Sequence, residues 1–314
     1  MIDTLNLKID VSQAGGIDLL SEIPPHLDDA HKSEHCYDGG FWVVSGYLES
    51  LKVSVSRLAV TIKDSSFCKW CLGDNFKTLT RGDIKQGLER LSDTLHLPMS
   101  EATVTRLDIG QNIVTKSPVG VYLNHLGLLK GTKRLPARDG LYYSGINTQL
   151  AFYDKVREQK RTGEQIPELY KGRNVLRYEV RYLHRLPNSL NVPEVTGGLL
   201  YNEAFYVGIV QRWGSIYKDI QKINDIQLNF DIMGTKRELY KAGLLSLIEQ
   251  RGGQVAVIDE INEACKRGQL TPKQANDLRD AVNDACKVRE GLTRPNDTIL
   301  ELDKKIDEAT RFFR

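Results

Sequence analysis

Gln149-Leu150-Ala151-Phe152-Tyr153-Asp154-Lys155-Val156-Arg157-Glu158 alternates as a strand does and sets one tyrosine among ionisable neighbours. On a strand, Tyr153 and Lys155 stand two apart, so both side chains leave the same face. A free phenol, with a pKa of roughly 10, is a poor nucleophile at neutral pH. It attacks a phosphodiester well when the phenolate is stabilised and the phosphate neutralised, which a lysine or a divalent cation can do. Taken alone, the same residues also describe a half-buried strand tyrosine beside a solvated lysine. The rest of the chain has to decide between these.

Outward from that run, Gly140-Leu141-Tyr142-Tyr143-Ser144 predicts the other arm of a hairpin, turning across Gly145-Ile146-Asn147-Thr148. Residues 173–183 predict a further strand, beyond a polar loop at 157–171. Upstream, β-branched alternation predicts strands at the start of the chain and over 41–48, 51–56, 58–63 and 103–110. Ile84, Leu88, Leu91 and Leu95 give residues 80–96 a helical stripe, and Ser117-Pro118 reads as the cap and first turn of a helix to about 129. After Pro193 the periodicity is helical, over 203–222 and from Thr235 onward. Thr271-Pro272-Lys273-Gln274 is a capping box, and a last helix starts near Asp297. The fold class is therefore α+β, a central, mostly antiparallel sheet flanked by helices. Residues 1–195 form the sheet domain and 196–314 a helical C-terminal region.

The chain has 314 residues, 40% hydrophobic and 27% charged, which is ordinary globular chemistry with room for a sizeable core. No apolar run approaches the roughly 20 residues of a membrane span, and the start lacks a signal peptide's pattern, so a cytoplasmic location is expected. A net charge of +2 means that any DNA binding uses local patches. Cys68-Lys69-Trp70-Cys71 is a lone C-x-x-C; with Cys36, Cys265 and Cys286 it reads as reduced thiols rather than structural zinc. His31 and His35 have helical spacing but no evident third ligand. No Walker loop is present, and no pair of adjacent histidines between apolar residues.

Two strands carry acids among apolar neighbours: Asp108 in Arg106-Leu107-Asp108, and Glu179 in Arg177-Tyr178-Glu179-Val180-Arg181. A carboxylate there is costly to bury unless paired or bound to metal. Each has an arginine two residues away, so intrastrand ion pairs are one reading. If these strands flank Tyr153, the other is that Asp108 and Glu179 ligate Mg²⁺ or Mn²⁺ while Arg106, Lys155 and Arg177 stabilise charge as Tyr153 attacks. Asp154 and Glu158 are available as a third ligand, although strand parity turns Asp154 away from Tyr153.

In this order the motifs resemble those of the filamentous-phage gene II replication protein and its phage and plasmid relatives, the gene II/X family. The resemblance runs from Met1-Ile2-Asp3 through Gly73-Asp74-Asn75 and Val104-Thr105-Arg106-Leu107-Asp108. It continues through Leu150-Ala151-Phe152-Tyr153-Asp154-Lys155, Leu176-Arg177-Tyr178-Glu179-Val180-Arg181 and residues 186–193, and more weakly beyond Thr235. The order R-x-D, Y-x-K, R-x-E is also similar to the Rep_trans plasmid initiators, as is Tyr142-Tyr143-Ser144-Gly145 to their Y-x-G-S element.

The resemblance implies a Rep-like (HUH) nicking domain and an enzyme of rolling-circle replication. Such a nickase cuts one strand of supercoiled origin DNA, joins its tyrosine to the 5′ phosphate, frees a 3′ hydroxyl and later rejoins the ends. It implies Tyr153 as nucleophile, Lys155 as its lysine, Asp108 and Glu179 as metal positions, and a host helicase and polymerase as partners. Tyr142, Tyr143 and Tyr178 then either stack bases or pack the sheet. Origin contacts fall either on Arg157, Lys160 and Arg161 of the polar loop or on a helix–turn–helix at 258–287, with Gly268 in its turn. A plain helical bundle fits the latter residues equally. A mobilisation relaxase of the same chemistry, or a DNA-binding regulator that does not cut, are the alternatives.

Overall fold

The computed structural model describes residues 1–37, 40–74, 76–226, 228–231, 233–294 and 296–313; Asn75 of the motif above lies outside them. Along the chain run β1 (Ile2–Asp10), α1 (Leu19–Glu22), β2 (Ser33–Tyr37), β3 (Phe41–Leu48), β4 (Leu51–Ser56) and β5 (Ala59–Ile62). Then come α2 (Phe67–Leu72), α3 (Arg81–Leu95), β6 (Thr103–Thr115), α4 (Val119–Asn124), β7 (Lys133–Ala137), β8 (Gly140–Ser144) and β9 (Thr148–Asp154). After these follow α5 (Lys155–Thr162), β10 (Asn174–Tyr182), α6 (Leu186–Leu190), α7 (Glu203–Asp219), β11 (Asp225–Ile226) and α8 (Lys236–Gln250). The last are α9 (Gln254–Lys266), α10 (Pro272–Cys286), α11 (Arg289–Leu292), β12 (Thr293–Arg294) and α12 (Asp297–Phe312).

Ten strands form one antiparallel sheet in the order β2-β3-β4-β5-β1-β6-β10-β9-β8-β7. Strand alternation decides its two faces. Leu5, Leu7, Val53, Val55, Val60, Leu107, Ile109, Tyr178, Val180 and Phe152 point to one side and are buried there with α3, α7 and α12. On that side Tyr178 stacks on Phe152 with ring centroids 4.4 Å apart and leans on Trp213 of α7. The other face carries the polar alternates, and α5 packs over its β9–β10 part.

Helix ends follow the local chemistry. Thr80, Thr235 and Thr271 each close a capping box, and Asn296 caps α12. Tyr206, Trp213 and Tyr217 of α7, with Ile299, Leu302 and Ile306 of α12, belong to the same core as the sheet, whereas α8 to α10 bury smaller clusters of their own. The helical region beyond residue 196 thus lends two helices to the sheet. No helix of the described residues is long and apolar enough to cross a membrane.

Several expectations need correction. Residues 157–171 are not a loop throughout: α5 takes 155–162, because Asp154 accepts from the Arg157 amide as an N-cap. Helix α4 begins after Pro118 with no side-chain cap from Ser117 and stops at Asn124. His35 stands on β2, so the helical spacing with His31 does not exist. The strand expected over 103–110 runs on to Thr115, and β7 lies in a stretch with no strand alternation.

Candidate nicking site

β6, β10 and β9 lie side by side, which brings the three motifs together. In register, Arg177 stands opposite Tyr153 on one side and Asn112 on the other, and Arg181 opposite Gln149 and Asp108. Directly opposed residues share a face, so Tyr153, Arg177, Glu179, Arg181, Asn112, Asp108 and Arg106 all stand on the polar side.

The Tyr153 hydroxyl donates to Glu179 Oε1 at 2.7 Å. Arg177 Nε donates to the same oxygen at 3.0 Å, while Arg181 donates to Oε2 from Nε at 2.8 Å and from Nη2 at 2.6 Å. The remaining Arg177 nitrogens reach Asp3 Oδ1 at 3.2 Å and Asn112 Oδ1 at 3.3 Å. Asn112 is itself anchored, donating to the Phe76 carbonyl at 2.7 Å. Glycine is required at 110, since a Cβ there would lie 2.7 Å from Glu179 Cγ and 3.0 Å from the Tyr178 carbonyl oxygen.

Burial sets the electrostatics. It pushes the Glu179 carboxyl up, but Arg177 and Arg181 outweigh it and hold the group well below the usual carboxylate range. Asp3 is raised by the same burial, which outweighs the pull of Arg177. Burial, with the Glu179 charge behind it, lifts the Tyr153 phenol well above its ordinary value. Asp108 is pushed up to about 6 by burial, against the bidentate grip of Arg106 at 3.0 and 2.7 Å.

Beside the phenol lies a cleft of about 380 Å³, walled by Tyr142, Tyr153, Arg138, Arg157, Arg161 and Arg181. Arg157 and Arg161 are one helical turn apart on α5 and face it together. Three acids, Asp139, Asp154 and Glu158, share the opening, and the first two pair with Arg157 at 2.9 and 3.9 Å. Four guanidiniums against three carboxylates still leave the lining net positive, with two tyrosines beside it, as a DNA strand would require. Residues 1–213, from β1 into α7, match the family model for the N-terminal part of the phage gene II replication-associated protein. The chain belongs to this family of filamentous-phage gene II-type rolling-circle replication proteins. Among curated proteins, none matches it.

Within this gene II-type fold, the expected residues are distributed unevenly. Tyr153, Arg177 and Glu179 meet directly. Lys155 does not share a strand face with Tyr153: it opens α5, is 4% exposed, pairs with Glu158 at 2.9 Å and sits 5.6 Å from the Phe76 ring centroid. Asp108 stands two strands over and four residues along from Tyr153, roughly 16 Å between Cα atoms at ordinary sheet spacings. The phenol and both acids therefore do not surround one point. Tyr143 and Tyr178 face the core, their hydroxyls donating to Gly127 and Trp213 carbonyls, so neither ring is open to a base. Tyr142 remains on the cleft wall, as do Arg157 and Arg161, while Lys160 is exposed outside it.

The donor set does not suit the expected Mg²⁺ or Mn²⁺ as arranged. Both oxygens of Glu179 and both of Asp108 are taken by guanidinium groups, and the described residues hold no cluster of three His, Cys, Asp or Glu side chains. Sequence reasoning missed Asp3, Asn112, Arg138 and the bridging part of Arg181. Only Arg181 had a signal, its place two residues after Glu179.

Proposed function

We propose that this protein initiates rolling-circle replication as a DNA nickase and strand transferase with Tyr153 as nucleophile. One arrangement carries the reading: the phenol donates to a carboxylate braced by two arginines, at the wall of a cleft that also presents Arg138, Arg157 and Arg161. A phosphodiester entering the cleft competes with Glu179 for Arg181, the more exposed of the two braces. As Arg181 turns to the phosphate, Glu179 loses part of the charge that keeps it acidic, and burial then favours its protonated form. The proton passes from Tyr153 Oη to the carboxylate it already touches. The Oη–P bond forms, the P–O3′ bond breaks, and the departing 3′ oxygen takes a proton from water.

The products are a 5′ phosphotyrosine and a free 3′ hydroxyl that a host polymerase can extend after its helicase opens the template. Rejoining runs the same exchange backwards and needs no ATP, since the ester linkage is retained. Magnesium or manganese would require a guanidinium to leave Asp108 or Glu179 first. A second reading, a regulator that binds origin DNA without cutting, is favoured by a single observation: at rest the phenol is far from ionisation.

The test incubates the protein with supercoiled origin plasmid in Mg²⁺, in Mn²⁺ and in EDTA, then measures open circles and covalent adduct. Nicking with an adduct is expected, and Tyr153→Phe should lose the adduct while still binding DNA. Undiminished adduct in that variant would remove Tyr153 from the role. Binding without any adduct in all three conditions would select the regulator.

A further inference from the structure

The polar face of the sheet does not end at the cleft. Ser33, Ser45, Ser54, Thr61 and Lys8 stand in cross-strand register, one on each of β2, β3, β4, β5 and β1. Asn6 on β1 is opposite Arg106, and Asp108 opposite Arg181, so the row continues onto the strands of the candidate site. The opposite faces of β3, β4 and β5 are buried with Val44, Val53, Val55 and Val60, which fixes the hydroxyl row outward there, while the edge strand β2 is exposed on both faces. Along it runs a concavity of about 500 Å³.

We infer that this open face of β2 to β5 is a binding surface for single-stranded DNA, with Tyr37 and Phe41 as its base-stacking end. Three features select that occupant. The middle of the face is paved with short hydroxyl side chains, Ser45 and Ser54 bonded to each other at 3.0 Å and Ser56 and Thr61 donating to backbone carbonyls. A sugar-phosphate backbone can therefore approach this low, polar surface closely. Lys52 and Lys63 line it without an ion-pair partner among the described residues, against one lining acid, Asp64. At the outer edge Tyr37 and Phe41 are directly opposed and remain 58% and 42% exposed, an aromatic platform on which unpaired bases can stack. A duplex would present its backbone to those rings and leave them wet.

From β9 to β2 there are seven strand spacings, roughly 34 Å, or about ten stacked nucleotides. The surface therefore belongs to a strand long enough to reach from the nick to the edge. The direction of that path rests on the nickase reading; the binding surface itself does not.

The full chain carrying Tyr153→Phe is titrated with fluorescent oligothymidylates of about eight and about twenty-five nucleotides, and with a duplex of the longer length. The longer single strand should bind at least about tenfold more tightly than the shorter, a gain of the size expected for stacking. Tyr37→Ser with Phe41→Ser should remove that gain and leave the short probe's affinity unchanged. Circular dichroism confirms the fold, and Lys52→Glu with Lys63→Glu should flatten the salt dependence of the long probe. Equal affinity for both lengths, a gain that survives the ring substitutions, or an equal gain with duplex would overturn the inference. A wild-type protein that forms no adduct yet shows the ring-dependent gain would sink the nickase reading and leave this surface standing.

Discussion

Arg177 is 1% exposed, and its three nitrogen groups are divided among Glu179, Asp3 and Asn112. A buried charge is tolerated only when matched in this way, and removing one partner of such a pair typically costs about 3–5 kcal/mol. Gly110 makes the match possible by leaving room for Glu179. Gly110→Ala should therefore destabilise by about 1–3 kcal/mol and also lower adduct yield, because the Cβ displaces the carboxylate that holds the phenol. Denaturant melts and adduct assays read the two effects; a variant normal in both would contradict the geometry. Asp108 behaves differently. Its folded pKa of about 6 lies above the unfolded value, so the folded state holds the proton more tightly. The stability this contributes is full below the unfolded pKa of roughly 3.9 and is lost as pH rises through about 6, a swing of about 3 kcal/mol. Asp108→Asn cannot ionise, so it should gain stability relative to the parent between about pH 4 and about pH 7.5. A constant difference across that range would refute the assignment.

Helix α5 turns a strand motif into a cleft. Tyr153 is the last residue but one of β9, Asp154 ends the strand and caps the helix, and Arg157 and Arg161 then face the opening together. Asp154→Ala should cost about 1 kcal/mol of stability while weakening DNA binding more than that figure suggests, since both arginines lose their placement. Melting and anisotropy measured on one preparation test this, and unaltered binding would show that the helix holds without its cap. The same junction explains what the sequence could reveal. Alternation in residues 41–48, 51–56 and 176–181 marked strands correctly because one face of each is apolar and the other polar. Lys155 was misplaced because the alternation of 149–155 continues past the point where an aspartate cap starts a helix. Tyr142 and Tyr143 look alike in sequence, and only the register with β9 shows which of them is core. Asp3 and Asn112 carried no local signal, since their role comes from a guanidinium on a strand far along the chain.

At the scale of the whole molecule, one large core joins the sheet to α3, α7 and α12, while α8 to α10 rest on two small clusters. Few buried apolar side chains mean a low free energy of local opening. Amide exchange should therefore be fastest in α8 to α10 and slowest in β6 and β10, with α7 and α12 protected like the sheet. Matching rates in α9 and α12 would show that the chain opens as one unit. The Arg177 cluster has a consequence at this level too. Its guanidinium laces together side chains from β1, β6 and β10, and through Glu179 the phenol of β9. A mutational survey scored by protein abundance would thus flag the proposed nicking site as scaffolding, and one scored by cutting would flag the scaffold as part of that site; at Arg177 the two maps coincide.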